Sequence, residues 1–110
     1  MSTDHKSDLF PAFEYGQTSE EGFLQGFGIR ISPNGNIHEG MFNKKLDGYG
    51  RMVHPNGDYY LGFWKDGQKH GRGRYVFAEQ EIKVGNWEEG KNIGIFQITH
   101  SDGKKSLVKV

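Results

Sequence analysis

A glycine pair that recurs at a nearly fixed interval constrains this chain more than any other feature. Gly26-Phe27-Gly28, Gly48-Tyr49-Gly50 and Gly71-Arg72-Gly73 are followed by Gly94-Ile95-Phe96, where the second glycine is lost, and the pairs start 22, 23 and 23 residues apart. Seven residues after the second position of each pair stand Gly35, Gly57, Gln80 and Gly103; five further on come Gly40, Gly62, Gly85 and Val108; two beyond those come Phe42, Trp64 and Trp87. Gly22, Gly67 and Gly90 form another in-phase series, which the second unit lacks, being one residue shorter. Agreement among several columns at one period marks a repeat architecture, in which each unit is stabilised by its neighbours.

Each unit contains two runs with strand-like alternation, such as Tyr59 to Trp64 and Gly71 to Phe77, separated by turn-forming clusters. The pattern predicts one β-hairpin per unit. Asn34-Gly35, Asn56-Gly57, Asp66-Gly67 and Asp102-Gly103 are dipeptides suited to two-residue type I′ turns, where both central residues need positive φ. No glycine-free stretch carries apolar residues at helical spacing, so no substantial helix is expected. Alternation places Tyr60, Gly62 and Trp64 on one face and Tyr59, Leu61 and Phe63 on the other, while Gly71, Gly73, Tyr75 and Phe77 share a face of the next strand. Strand glycines usually mark a close approach by another group. The reading therefore predicts that Trp64 stacks over Gly71 and Gly73.

The segment Tyr60-Leu61-Gly62-Phe63-Trp64-Lys65-Asp66-Gly67-Gln68-Lys69-His70-Gly71-Arg72-Gly73 resembles the MORN repeat, whose pattern is roughly Y-x-G-x-W-x-x-G-x-x-x-G-x-G. The units beginning at His38 and Lys83 match it less closely, since those residues replace the tyrosine and Phe42 replaces the first tryptophan. A degenerate first unit runs from about Glu14 to Gly35, with Tyr15-Gly16 one residue out of phase. Residues 1–12 are expected to form a flexible tail, and residues 13–110 a repeat domain of three to four units. The resemblance implies an all-β fold, a single-layer antiparallel meander of consecutive β-hairpins. It also implies a non-enzymatic scaffold or adaptor in an intracellular assembly, cytoskeletal, ciliary or membrane-associated.

Composition narrows the remaining classes. Lysine plus arginine number 14 and aspartate plus glutamate number 14, so no bulk field favours nucleic acid, and none is expected as a partner. The longest strongly apolar run, Ile93 to Ile98, is far short of a membrane span, and the polar start carries no apolar core segment; the chain reads as soluble and cytoplasmic. The absence of cysteine excludes disulfides, thiol catalysis and cysteine-based zinc sites. His100, Ser101 and Asp102 are the best local catalytic candidates, but consecutive side chains diverge, whereas triads converge from distant positions. His5, His38, His54, His70 and His100 include no pair at helical metal-ligand spacing. His54 and His100 occupy the repeat position of Phe77 and read as groove-lining residues. The glycine pairs lack the third glycine and following helix of a phosphate-binding loop. No catalytic residue, metal or cofactor is expected.

Two surfaces stand out as candidates. Phe42, Tyr60, Trp64, Tyr75, Phe77 and Trp87 should line one uncovered face, and a contiguous aromatic face usually marks a protein contact, here for a helix or extended peptide, with Trp64 and Tyr75 central. Lys65, Lys69, His70, Arg72 and Arg74 gather positive charge around one hairpin and offer an alternative contact with acidic phospholipids, against the plainer reading of a solvated edge. The open ends of the sheet, near Phe13 to Tyr15 and Leu107 to Val110, invite pairing with another chain, as a homodimer or within a larger complex.

Overall fold

A computed structural model describes residues 13–110, so the expected tail over residues 1–12 lies outside the described residues. The two runs of each repeat become strands: β1 (Phe13–Thr18), β2 (Leu24–Ile31), β3 (Ile37–Asn43), β4 (Lys45–Val53), β5 (Tyr59–Lys65), β6 (Gln68–Val76), β7 (Ile82–Glu88), β8 (Lys91–Thr99) and β9 (Lys105–Lys109). They form one open sheet in sequence order, each strand antiparallel to the next. The described residues hold no helix. The fold is thus the expected all-β, single-layer meander, with four hairpins followed by a ninth strand.

The register explains the first glycine of each pair. Between β5 and β6, Gly62 faces Gly73 and Trp64 faces Lys69, so β6 carries two more residues than β5 over the same length. The same excess lies between Leu24 and Gly28 in β2 and between Leu46 and Gly50 in β4. Within these bulges Gly26, Gly48 and Gly71 have φ of 99°, 116° and 90°, and Gly94 in β8 has 74°. An L side chain is disfavoured there by its own backbone. This is why the last unit keeps Gly94 although Phe96 replaces the second glycine. Bulges also increase local twist, and every hairpin carries one.

The turns differ from expectation at three of the four named dipeptides. Only Asp66-Gly67, with φ of 49° and 80°, has both residues positive; Glu89-Gly90 does the same at 50° and 85°. At the other ends of the hairpins the loops Ser32–Asn36, His54–Asp58 and His100–Lys104 each contain a tight turn, and only its fourth residue, Gly35, Gly57 or Gly103, has positive φ. Asn34, Asn56 and Asp102 serve these loops with their side chains, whose oxygens accept hydrogen bonds from the backbone N–H groups of Asn36, Asp58 and Lys104. Local side-chain capture of the backbone, not positive φ, selects Asn or Asp there.

The ring stacking also departs from expectation. Trp64 leans toward the preceding hairpin, donating its indole N–H to the Gly50 carbonyl at 2.9 Å. The group over Gly73 is the Tyr60 ring. The bulge is the cause: it sets Trp64 opposite Lys69 and places Gly71 opposite Trp87 of the next hairpin, out of reach of Trp64.

Leu24, Phe42, Leu46, Tyr60, Trp64, Trp87 and Phe96 form one continuous buried cluster on one face of the sheet. Tyr60 meets Trp64 and Trp87 edge-on at 5.0 and 4.9 Å between ring centres, and Trp87 meets Phe96 at 4.7 Å. Among the described residues no second layer covers these rings. Long cationic side chains supply part of the cover: Lys69 Nζ lies 5.6 Å from the Tyr60 ring centre, Lys83 Nζ 5.7 Å from Phe96, and the Arg30 guanidinium 5.3 Å from Phe42. Their charged ends sit over the rings, within the range at which a cation is attracted to an aromatic face.

Candidate interaction face

Gly16, Gly28, Gly40, Gly50, Gly62, Gly73 and Gly85 pair in unbroken register from β1 to β7. A Cβ on Gly16, Gly40 or Gly62 would lie 2.5 Å from the Cα of Gly28, Gly50 or Gly73, a distance no side chain tolerates. The row is therefore a line of closest backbone approach. The neighbours of each glycine point away from the buried rings.

On that opposite face Phe27 pairs with Met41 and Tyr49 with Phe63, on one side of the glycine row. The Tyr49 and Phe63 rings meet edge-on at 5.4 Å. On the other side Tyr15, Ile29, Glu39, Arg51, Leu61 and Arg74 follow one another strand by strand. Over β1–β5 the two rows, apart from Phe63 and Arg74, line a groove of about 550 Å³ floored by Gly16, Gly28, Gly40 and Gly50, and Phe63 extends its apolar wall beside Tyr49. Phe27 is 66% exposed, Tyr49 50% and Phe63 49%. The charges on the wall neutralise each other, since Arg51 and Glu39 are ion-paired at 2.6 Å.

The six rings named from the sequence lie elsewhere. Phe42, Tyr60, Trp64 and Trp87 are buried within the chain, each no more than 4% exposed, and only Tyr75 and Phe77 remain partly accessible. Tyr60 and Trp64 do share a face as alternation required, but that face is already occupied by packing. Sequence reasoning passed over Phe27, Met41, Tyr49 and Phe63. The available signal was the central residue of the first two glycine pairs, together with the residue between each glycine and its large ring.

The five basic residues are divided between the two faces. Lys69 lies on the ring side, also 5.1 Å from the Tyr75 ring centre, and burial lowers its pKa, with the nearby Lys83 adding to the effect. Arg72 and Arg74 flank Gly73 and are exposed on the groove side. Lys65 ends β5 beside the Asp66-Gly67 turn, and His70 sits in the bulge.

His100 bonds to neither of its sequence neighbours. Its Nε2 lies 2.9 Å from Ser106 Oγ and its Nδ1 3.2 Å from Glu81 Oε2. Such a chain has the connectivity of a hydrolase triad, yet acyl transfer also needs oxyanion donors and a substrate cleft. Related pairs recur along the sheet, with Ser32 Oγ 3.0 Å from His38 Nε2 and Asn36 Oδ1 3.2 Å from His54 Nδ1. Between them Asp58 accepts from the Ala78 N–H at 2.8 Å and from the Tyr75 hydroxyl at 3.2 Å. The Ala78 bond is the main reason that the Asp58 carboxyl sits below the usual range. Asn36–His54, Asp58–Ala78 and Glu81–His100 thus stitch successive loops along one edge. Among the described residues no group of three or more His, Asp or Glu side chains is placed to hold a metal ion.

Comparison with protein families matches the MORN repeat in three consecutive segments, residues 20–37, 38–59 and 60–80. The matched region, more than half of the chain, runs from β2 through β6. No curated protein matches the chain.

Proposed function

The chain belongs to the MORN-repeat family of interaction modules, and from that premise we propose that it is a non-enzymatic scaffold that binds a partner protein along the groove floored by the glycine row. The carrying observation is the two exposed pairs Phe27–Met41 and Tyr49–Phe63, each held in cross-strand register on the face opposite the buried rings. Exposed apolar surface on this scale favours a contact, and aromatic residues and methionine are the types enriched in protein interfaces. Its strands are fixed by ladder pairing on both sides, so the surface is preorganised and little ordering opposes binding. The alternative, a membrane contact through Lys65, Lys69, His70, Arg72 and Arg74, is weakened by the division of those residues between two faces.

The test is affinity enrichment with mass spectrometry from the native cell. A folded Tyr49→Ala, Phe63→Ala variant should lose partners that the wild-type protein retains, whereas Tyr75→Ala with Phe77→Ala should keep them. The reverse pattern would return the contact to the ring-bearing face.

A further inference from the structure

Three properties of the groove restrict what can occupy it: its direction, its floor and the charge at its end. It runs across the strands, from β1 toward β6, and its floor is the backbone of paired glycines. The floor strands β2–β4 are paired on both sides, so their backbone cannot bond a chain that lies across them, and the floor's one open edge among the described residues, that of β1, runs along the strand rather than across the groove. A peptide lying in an apolar groove must still satisfy its own N–H and C=O groups. An α-helix does so internally. Its pitch of about 5.4 Å also nearly matches the strand spacing of about 4.8 Å, which allows one anchor side chain per strand crossed. An extended peptide would present same-face residues about every 6.8 Å, out of step with the strands, and leave its backbone unpaired.

The charge at the β6 end is not compensated. Arg74 pairs in register with Leu61 of the groove wall, and Arg72 follows Gly71, whose backbone lies beside Phe63. Among the described residues neither guanidinium forms an ion pair, in contrast to Arg51 with Glu39 and Arg30 with Glu14. Two exposed arginines adjoining an apolar groove complement an occupant that is apolar over the groove and acidic just beyond it.

We infer that the groove takes an amphipathic helix of a partner protein whose apolar stripe crosses β2–β5 and which carries Asp or Glu where it reaches Arg72 and Arg74. The inference rests on the reading of the groove as the contact site. A flat lipid surface fits less well, because the apolar side chains stand as walls around a concave glycine floor that a flat surface would leave unfilled, and Lys69 faces the other way.

The experiment is a peptide-display selection against the purified full chain and, in parallel, against the Arg72→Glu, Arg74→Glu variant, with the enriched peptides then synthesised and titrated. Wild type should enrich peptides with apolar residues at helical spacing and Asp or Glu beyond one end of the stripe. The charge-reversed variant should enrich Lys or Arg at that place and bind the wild-type peptides at least tenfold more weakly. Enriched peptides without an acidic position, or equal binding by both proteins, would overturn the inference. If those peptides still lose affinity on Tyr49→Ala with Phe63→Ala, the groove reading stands and only the acidic helix falls; if that variant binds normally, the groove reading falls too. No enrichment, together with binding to vesicles containing phosphatidylserine, would overturn both in favour of a membrane.

Discussion

The Tyr60 ring lies against the α-carbon of Gly73 so closely that a Cβ at residue 73 would fall 2.1 Å from the phenolic oxygen and 2.4 Å from the carbon that bears it. The ring is fully buried, and its hydroxyl donates to the Phe63 carbonyl at 3.2 Å. Gly73→Ala should therefore displace Tyr60 from the core. Overpacking of this kind typically costs about 1–3 kcal/mol. Urea denaturation should place the variant that far below wild type, and an unchanged midpoint would mean that the ring has free room to move.

The last hairpin solves the same problem in reverse. Lys83 stands where Tyr60 does, Phe96 stands where Gly73 does, and the Phe96 ring covers Gly85 within 2.7 Å of where a Cβ would sit. The two arrangements exchange which strand supplies the ring. Transplanting the second into the third unit, Tyr60→Lys with Gly73→Phe, should give a double variant more stable than the sum of the single effects predicts. A double-mutant cycle should show favourable coupling of about 0.5–3 kcal/mol, the range seen for side chains sharing one cavity. Additive losses would mean that the exchange depends on further residues of the last hairpin.

The first glycine of each pair should fail for a different reason. At Gly94 a Cβ would meet nothing within 4 Å, but the residue sits at φ +74°. Gly94→Ala should cost about 1–2 kcal/mol through backbone conformation alone. Gly94→Asn should cost less, because Asn tolerates the left-handed region better. Thermal unfolding that ranks Ala as stable as Asn would contradict this account.

Alkaline pH should unfold the protein through its core tyrosine. Burial pushes the Tyr60 phenol up to about 12 from its ordinary 10.0. Between those values the unfolded chain releases the proton while the folded chain keeps it, so stability is full below pH 10 and falls as pH rises toward 12. The loss by pH 12 is on the order of 2–3 kcal/mol. Denaturation midpoints across this interval should fall for wild type and fall less steeply for Tyr60→Phe. Equal slopes would assign the loss to other groups.

Acidification should act through His38. Burial, reinforced by the Arg30 guanidinium and by His54, lowers its pKa below 6.5. The unfolded chain then takes up a proton that the folded chain resists, so this contribution to stability is present above pH 6.5 and is lost as pH falls through the depressed value. Thermal midpoints at pH 7.5 and 5.5 should differ less for His38→Gln than for wild type.

Much of this architecture can be read in the residues. The glycine and ring columns predict a hairpin per unit, and alternation correctly places Tyr60, Gly62 and Trp64 together and Phe63 opposite them. The out-of-phase Tyr15-Gly16 is also resolved: Gly16 pairs with Gly28 as Gly62 pairs with Gly73, and a longer turn between Thr18 and Leu24 accounts for the offset. What could not be read is the extra length in β6, which moves Trp64 onto Gly50, because a bulge is defined by its partner strand. The groove was missed for a related reason. Phe27 and Tyr49 occupy a variable place between two glycines, and their neighbours Met41 and Phe63 come from other strands.

The sequence by itself determined the period, the strands, the need for glycine and the division of side chains between two faces, since these follow from backbone conformation and from a two-residue alternation. Only the tertiary structure decided which face is buried. In a single layer either face is a candidate core, and the choice rests on cross-strand register, on bulges that twist each hairpin around its rings, and on Lys69 and Lys83 lying across those rings from neighbouring strands. None of these relationships is local. The same geometry that closes over Tyr60 and Trp64 leaves Tyr49 and Phe63 open on the other side.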